Sequence, residues 1–221
     1  MKKLSILFAI SMLFAFSLTN ALAYPVSVGD QIYFYRFETA GSGPGGEFSI
    51  HLYNNGAVTP KLFESFCVEH TEYITLGPSH GYYIGGISNA AIKGGTSTSD
   101  TLDTKTAYLF QNWYDGNLKI GYLNNNTDAN ALQNAIWYIE GEISSLPTGR
   151  ATDYYNEAVT YANGSLYGVQ VLNMYSSYNS STGEYSGLAQ DQLVVPEPGI
   201  LILLGIAMSA IGAASWRLRK L

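Results

Sequence analysis

The spacing of apolar residues changes near residue 99, and this change constrains the fold more than any other feature. From Val26 to about Val68, short runs of alternating apolar and polar residues are separated by turn-forming clusters, a pattern typical of strands. From Ser99 to about Asn163, apolar residues instead recur every three or four positions, as on one face of a helix. Residues 165–176 and 187–195 return to strand-like patterns. We therefore predict an α+β domain whose β-rich N- and C-terminal parts flank a helical insertion of about three helices.

The helical insertion contains three amphipathic segments. The first follows a capping candidate at Ser99 or Asp100, the second runs from near Asp128 to Gly141, and the third ends at Gly164. Each segment places its apolar residues on one face: Leu102, Thr106, Leu109 and Trp113 in the first, Leu132, Ala135, Ile136 and Ile139 in the second, and Tyr154, Ala158 and Tyr161 in the third.

The N-terminus has the three parts of a secretory signal peptide. Lys2 and Lys3 precede an apolar run that extends to about Leu18, and Ala21 and Ala23 provide the small residues of a cleavage site. We expect residues 1–23 to be a signal peptide that is removed after Ala23. An uncleaved N-terminal membrane anchor is the alternative.

The C-terminus contains a second apolar segment. Residues 199–216 carry no charge and are followed by Arg217, Arg219 and Lys220. As a helix this segment is roughly 27 Å long, close to the bilayer core of about 30 Å. We predict a transmembrane helix at 199–216 whose basic tail stays cytoplasmic, which leaves the body of the protein outside the inner membrane.

Pro196, Glu197 and Pro198 precede that span, and the order of tripeptide, apolar span and basic tail resembles the PEP-CTERM sorting signal. The resemblance covers residues 196–221. It implies a Gram-negative bacterium and an exosortase as partner. It also implies a transient membrane anchor that is removed when the body passes to the cell surface or extracellular matrix.

Between these signals, residues 24–175 are predicted to form an ectodomain, followed at 176–195 by a polar linker and the last strand. Residues 24–195 contain 6 Lys and Arg against 16 Asp and Glu, so nucleic acid is excluded as a partner. The 18 tyrosines of the chain suit either aromatic contact surfaces or an ordinary β-sheet surface.

Cys67 is the single cysteine of a chain with export signals, where unpaired thiols tend to form disulfides. It could be a buried small hydrophobic residue. A Cys–His hydrolase is disfavoured, because Cys67 and His70 would point to opposite faces of a strand and His80 belongs to no motif. The three histidines have no metal-ligand spacing, so no metal and no cofactor are expected.

A third interpretation pairs Cys67 with Gln133. A thiol held against a glutamine carboxamide, away from water, can displace ammonia and form an internal thioester, which a partner's amine or hydroxyl can later open. Nearby aromatic residues such as Phe66 and Trp137 could keep water away. The sequences FCV at 66–68 and LQNAIW at 132–137 resemble the two motifs of thioester domains in bacterial surface adhesins.

The resemblance to thioester domains implies a non-enzymatic surface protein. Such a protein would attach covalently to an amine- or hydroxyl-bearing surface protein or polysaccharide. The alternative is a non-covalent surface module, either exopolysaccharide-binding or a structural part of the matrix, in which Cys67 is a buried free thiol.

Overall fold

A computed structural model of the protein describes residues 24–36, 45–93 and 99–196. The strands are β1 (Gln31–Arg36), β2 (Phe48–Asn54), β3 (Ala57–Ser65), β4 (Tyr82–Ser88), β5 (Ala90–Ala91), β6 (Asp100–Thr101), β7 (Gln170–Asn179) and β8 (Glu184–Val194). The helices are α1 (Thr104–Tyr114), α2 (Asn126–Ile139) and α3 (Arg150–Tyr161).

Several predictions for the chain ends concern residues outside the described ranges. They are the signal peptide with Ala21 and Ala23, the remainder of the tripeptide at Glu197 and Pro198, the transmembrane helix at 199–216, and the basic tail of Arg217, Arg219 and Lys220. Within the ranges that the structure does describe, no helix has both the length and the apolar character needed to cross a membrane.

Six strands form one antiparallel sheet in the order β3-β2-β1-β4-β7-β8. The three helices lie in sequence between the short β5–β6 pair and β7, so the N-terminal strands and the C-terminal hairpin meet where β4 pairs with β7. This arrangement confirms the predicted α+β class, with β-rich ends around a three-helix insertion.

The strand predictions need three corrections. Cys67 was expected to lie on a strand. Instead, β3 stops at Ser65 and Cys67 forms only an isolated bridge with Gln192. β4 was not predicted. The polar stretch at 176–186 is no linker: it forms the outer parts of β7 and β8 and the turn between them, so 176–195 belongs to the sheet.

The helix starts also differ from the predictions. α1 is capped by Asp103, whose carboxylate accepts a hydrogen bond from the Lys105 N–H at 2.8 Å, rather than by Ser99 or Asp100. α2 is capped by Asn125, while Asp128 lies in its first turn and pairs with Arg150 at 2.8 Å. Both differences arise because several Asp and Asn residues precede each helix and local sequence does not distinguish among them.

Two clusters of buried side chains stabilise the domain. The helix cluster contains the apolar faces of the helices, Phe66, and the ends of β7 and β8. The sheet cluster contains the inner face of the sheet together with Cys67 and Trp137. Consecutive residues Phe66 and Cys67 therefore belong to different clusters, and the chain at this point lies between them.

Candidate functional site

Residues 66–68 run beside the end of β8 immediately after β3 stops. The Leu193 N–H donates to the Phe66 carbonyl at 3.1 Å, and the Val68 N–H donates to the Asp191 carbonyl at 3.0 Å. Cys67, which lies between these two bonds, has no exposed surface. These two hydrogen bonds therefore hold the backbone of Cys67 beside β8, although Cys67 lies outside the named strands.

Gln133 lies on α2 and is buried, with only 1% of its surface exposed. Its carboxamide makes three hydrogen bonds. The Oε1 atom accepts from the Cys67 N–H at 3.0 Å and from the Gly46 N–H at 3.0 Å, and Nε2 donates to the Cys67 carbonyl at 2.9 Å. The structure thus brings the two predicted residues together.

The third partner of this site is the backbone at Gly45 and Gly46, which sequence reasoning missed. A Cβ atom at Gly45 would lie 2.7 Å from Trp137 Cη2 and even closer to Gln133 Cγ. A Cβ atom at Gly46 would lie 2.9 Å from the Ser65 carbonyl oxygen. Glycine at both positions lets the main chain lie directly against the Gln133 side chain.

The Cys67 thiol is held in its neutral form. Burial raises its pKa to about 12, and hydrogen bonds from the Gln192 side chain and the Gly46 N–H offset only part of this increase. Gln192 Nε2 lies 3.6 Å from the sulfur atom. The two side chains at the site are therefore a thiol and a carboxamide, which are the reactants from which a thioester forms.

Two buried carboxyl groups lie next to Cys67. Glu69 Oε2 accepts a hydrogen bond from the Asp191 N–H at 2.5 Å. Burial, followed by the charge of Asp191, raises the pKa of Glu69 to about 9, and burial raises the pKa of Asp191 to about 6. Glu69 is therefore neutral at pH 7. The only sequence signal for this buried carboxyl group is the acidic residue itself, close after the cysteine.

Unpaired polar atoms are concentrated around the pair. Within the described part of the chain, four buried side-chain atoms have no hydrogen-bond partner: Glu69 Oε1, Gln192 Oε1 and Trp137 Nε1 in this region, and Thr106 Oγ1 on α1. Leaving such a group unpaired costs about 1–3 kcal/mol. Native proteins keep few of them, and those that persist are often associated with function.

The two predicted aromatic neighbours lie on opposite sides of the site. The Phe66 ring packs edge-on against Trp113 in the helix cluster, with centroids 4.8 Å apart. The Trp137 ring packs against His70 in the sheet cluster, at 4.6 Å. The two rings thus pack into different clusters on either side of the 66–67 backbone. Their role in excluding water stays a prediction.

A cavity of about 260 Å³ opens near this site. It is lined by Glu47, which follows Gly46, and by Trp113, whose ring contacts Phe66. Tyr122 also lines it and donates its hydroxyl proton to Glu47 Oε2 at 2.6 Å. Burial raises the pKa of Glu47 to about 7.

The remaining histidines do not assemble with Cys67 into a larger group of ligands. His80 is exposed beside Ser79, and the His51 ring bonds to the Thr59 carbonyl. Within residues 24–36, 45–93 and 99–196, no three His, Cys, Asp or Glu side chains are grouped so that they could hold a metal ion.

Comparison with known proteins identifies the C-terminal segment. Residues 194–220 match the family model of the PEP-CTERM protein-sorting motif, which includes Pro196, Glu197 and Pro198. The motif indicates an exosortase-targeted protein that is exported and processed at the membrane for the cell surface or the extracellular space. No curated protein and no solved structure matches the chain.

Proposed function

We propose that this exported surface protein forms an internal thioester between Cys67 and Gln133 and attaches through it to a nucleophile on a partner. The observation that carries the proposal is the position of the Gln133 carboxamide. It makes three hydrogen bonds and is buried against the backbone of Cys67, the only cysteine. These bonds hold the carboxamide against Cys67, which is the placement that a thioester between the two side chains requires.

Thioester formation requires a sulfur attack on Gln133 Cδ. As the C–S bond forms, negative charge develops on Oε1, which already accepts hydrogen bonds from the Gly46 and Cys67 N–H groups at 3.0 Å. Two preorganised donors of this kind stabilise a tetrahedral intermediate as an oxyanion hole does. The C–N bond then breaks, and the thiol proton leaves on the amide nitrogen as part of ammonia.

The attachment step reverses the roles of the two groups. A partner's amine or hydroxyl attacks the same carbon, the C–S bond breaks, and the sulfur regains a proton as a thiol. The product is an amide or an ester of the side chain at position 133. The cavity beside Gly46 and Phe66 offers an approach, and the Glu47 carboxyl, with its pKa near 7, can accept the proton of the nucleophile.

In this proposal the protein is not an enzyme, because the chain itself is consumed in a single attachment and no product is released. The exosortase acts on the C-terminal segment and the thioester acts on the final partner. These are separate events that involve different segments of the sequence.

The test is the intact mass of the protein purified from cells that export it. Relative to the formula mass of the same processed form, the wild type should lack one ammonia, whereas Cys67→Ala and Gln133→Ala should have full mass. Gln111→Ala, which alters a half-buried glutamine on α1 that bonds to Asp115, is the matched control and should keep the deficit. Methylamine should then add to the wild type and release a reactive thiol.

Full mass with an intact glutamine at position 133 contradicts the proposal. In that case Cys67 is a buried free thiol and the protein is a non-covalent surface or matrix module. A thioester that has formed and hydrolysed gives a different result, because residue 133 is then recovered as glutamate.

A further inference from the structure

A set of aromatic side chains covers the face of the sheet opposite the sheet cluster. In β1 and β2, Tyr33 is paired with His51, and in β4 and β7, Tyr83 is paired with Tyr175. Their neighbours in sequence, such as Phe34, point the other way into the sheet cluster. We define the tyrosine face as the outward residues Tyr33, Tyr35, His51, Tyr53, Tyr83 and Tyr175 together with Tyr178 and Tyr185, two residues of the β7–β8 hairpin whose rings contact Tyr83 and Tyr175.

The rings of the tyrosine face contact one another in series. Tyr83 contacts Tyr178 at 5.8 Å between centroids, Tyr178 contacts Tyr185 at 4.7 Å, and Tyr185 contacts Tyr175 at 5.4 Å. On the neighbouring strands, Tyr33 contacts Tyr53 at 5.6 Å. The ring contacts therefore form two neighbouring groups, one on β1 and β2 and the other on β4, β7 and β8.

The tyrosine pairs of this face are inclined to one another by 33–47°. The Tyr35–His51 pair is steeper at 64°, and the core pairs Phe34–Phe48 and Phe66–Trp113 are edge-on at 82° and 85°. An edge-on pair covers the face of one ring with the rim of another. Inclined rings leave more of their faces turned in a common direction. Tyr53 and Tyr178 remain 40% and 39% exposed.

Glycines allow two of the rings to lie close to the main chain. A Cβ atom at Gly81 would lie 2.8 Å from the Tyr33 ring, and one at Gly85 would lie 2.6 Å from the Tyr175 ring. One face of each ring therefore packs on backbone. Aromatic rings that fill the gaps left by glycines stabilise a sheet. This stabilisation does not require that the tyrosine rings continue along the exposed β7–β8 hairpin.

The face is uncharged from β2 to β7, and Glu184 lies beside it at the start of β8. The outward positions that alternate with core residues on β2, β1, β4 and β7 contain no Asp, Glu, Lys or Arg; they are Ser49, His51, Tyr53, Gln31, Tyr33, Tyr35, Tyr83, Gly85, Tyr175 and Ser177. Charged residues begin at β3, where Lys61 pairs with Glu64. The chain as a whole has a formal net charge of −6.

We propose that the tyrosine face binds an uncharged polysaccharide, independently of Cys67 and Gln133. Sugar rings present C–H patches that pack on aromatic faces and hydroxyl groups that bond with polar rims, and tyrosine supplies both kinds of surface. The charge of the protein selects this occupant, because an anionic polymer would be repelled by the acidic chain and a cationic one would bind its carboxylates elsewhere. The length of the ring series suits an extended chain rather than a single sugar.

The test is the mobility of the full chain in native gels that contain dextran, a soluble β-glucan or a galactomannan, with alginate as the anionic comparison. The Cys67→Ala variant is used throughout, so that no covalent attachment contributes. We expect retardation by at least one neutral polymer and none by alginate. Adding Tyr83→Ala or Tyr178→Ala should weaken that binding about tenfold, which corresponds to about 1.4 kcal/mol.

Two further sets of variants make the outcome specific. Tyr73→Ala and Tyr161→Ala remove rings that are 73% and 53% exposed but lie outside the tyrosine face, and they should bind as well as the parent. Tyr178→Phe keeps the ring and should keep most of the binding. Circular dichroism confirms that each variant is folded.

Absence of retardation in all three neutral gels overturns the proposal, as does an equal loss in the Tyr73 and Tyr161 controls. Retardation by alginate alone indicates an ionic site elsewhere and also overturns it. None of these results affects the mass test for the thioester, so the two proposals fail separately.

Discussion

The Cys67–Gln133 site and the tyrosine face use the same sheet in opposite ways. At the site every side chain is buried, the carboxamide is bonded to backbone groups, and aromatic rings pack edge-on around it. On the tyrosine face the rings are inclined to one another and partly exposed, and the strands serve only to hold them in place. The first arrangement suits the proposed thioester, which needs fixed geometry and little water, whereas the second suits the proposed contact with a partner.

The comparison predicts that substitutions near the site destabilise the protein far more than those on the tyrosine face. Phe66→Ala is expected to have the largest effect, because Phe66 has no exposed surface and its removal leaves a cavity beside Trp113. The free energy of unfolding should fall by about 3–5 kcal/mol, measured by urea denaturation. Leu62→Ala on β3, where the side chain is 40% exposed, is the control and should change it by less than about 1 kcal/mol.

If Phe66→Ala lowers the free energy of unfolding no more than Leu62→Ala does, the two clusters tolerate a cavity at the point where they meet. The site would then not be rigid, and the contrast with the tyrosine face would fail.

Gly45→Ala tests whether the glycine backbone shapes the site. The new Cβ atom must displace Gln133 or Trp137, and overpacking of this kind costs about 1–3 kcal/mol. The ammonia deficit in the intact mass should also disappear. Combining Gly45→Ala with Gln133→Ala makes room for the methyl group, so the double variant should lose less stability than the two single changes added together.

If the Gly45→Ala protein keeps both its stability and its mass deficit, the close approach of this segment is not needed for the reaction. Additive losses in the double variant would place the strain at Trp137 instead of Gln133.

Glu69 gives the site a dependence on pH that the tyrosine face lacks. Its folded-state pKa, about 9, lies above the ordinary value of 4.5, so the folded protein holds a proton that the unfolded chain has released between these values. The stability contribution is present below about pH 4.5 and is lost as pH rises toward 9. Glu69→Gln should therefore gain about 1.4 kcal/mol relative to wild type between pH 6 and pH 7, in urea denaturation at both values.

Glu184→Gln, at the exposed start of β8, is the control and should follow the wild type at both pH values. A parallel response of Glu69→Gln and the wild type would mean that the carboxyl of Glu69 ionises normally in the folded protein.

Tyr178→Ala should have the smallest effect on stability. The side chain lies on the hairpin and is 39% exposed, so the free energy of unfolding should change by about 0.5 kcal/mol or less. Thermal denaturation followed by circular dichroism measures this. A much larger loss would show that the ring series is part of the core, and it would weaken the case for a binding surface.

Much of the site was open to prediction because its two main residues carry local signals. The apolar period around Leu132 and Ile136 predicted α2, and the motifs around Cys67 and Gln133 suggested that these residues meet. The hydrogen bond from Gly46 could not be predicted, since it joins positions 87 residues apart through a backbone group that carries no sequence signal. β4 was missed because Gly85 and Gly86 interrupt its alternation of apolar and polar residues.

The polar stretch between β7 and β8 shows a different limit. Its residues were expected to separate two strands because they are hydrophilic, yet they continue both strands. Tyr178 pairs there with Tyr185 in a two-stranded extension with largely exposed side chains, so no buried face imposes an apolar period.

By itself, the sequence was enough to predict the fold class, the export and sorting signals, and Cys67 and Gln133 as the two residues of the site. These predictions rest on periodicity and short motifs, which are properties of neighbouring residues. Only the tertiary structure decided that Gly46 and Cys67 donate to one oxygen atom, that Glu69 is buried, and that the tyrosines share a face. These features depend on burial and on contacts between distant segments, which arise only when the sheet and the helices pack together.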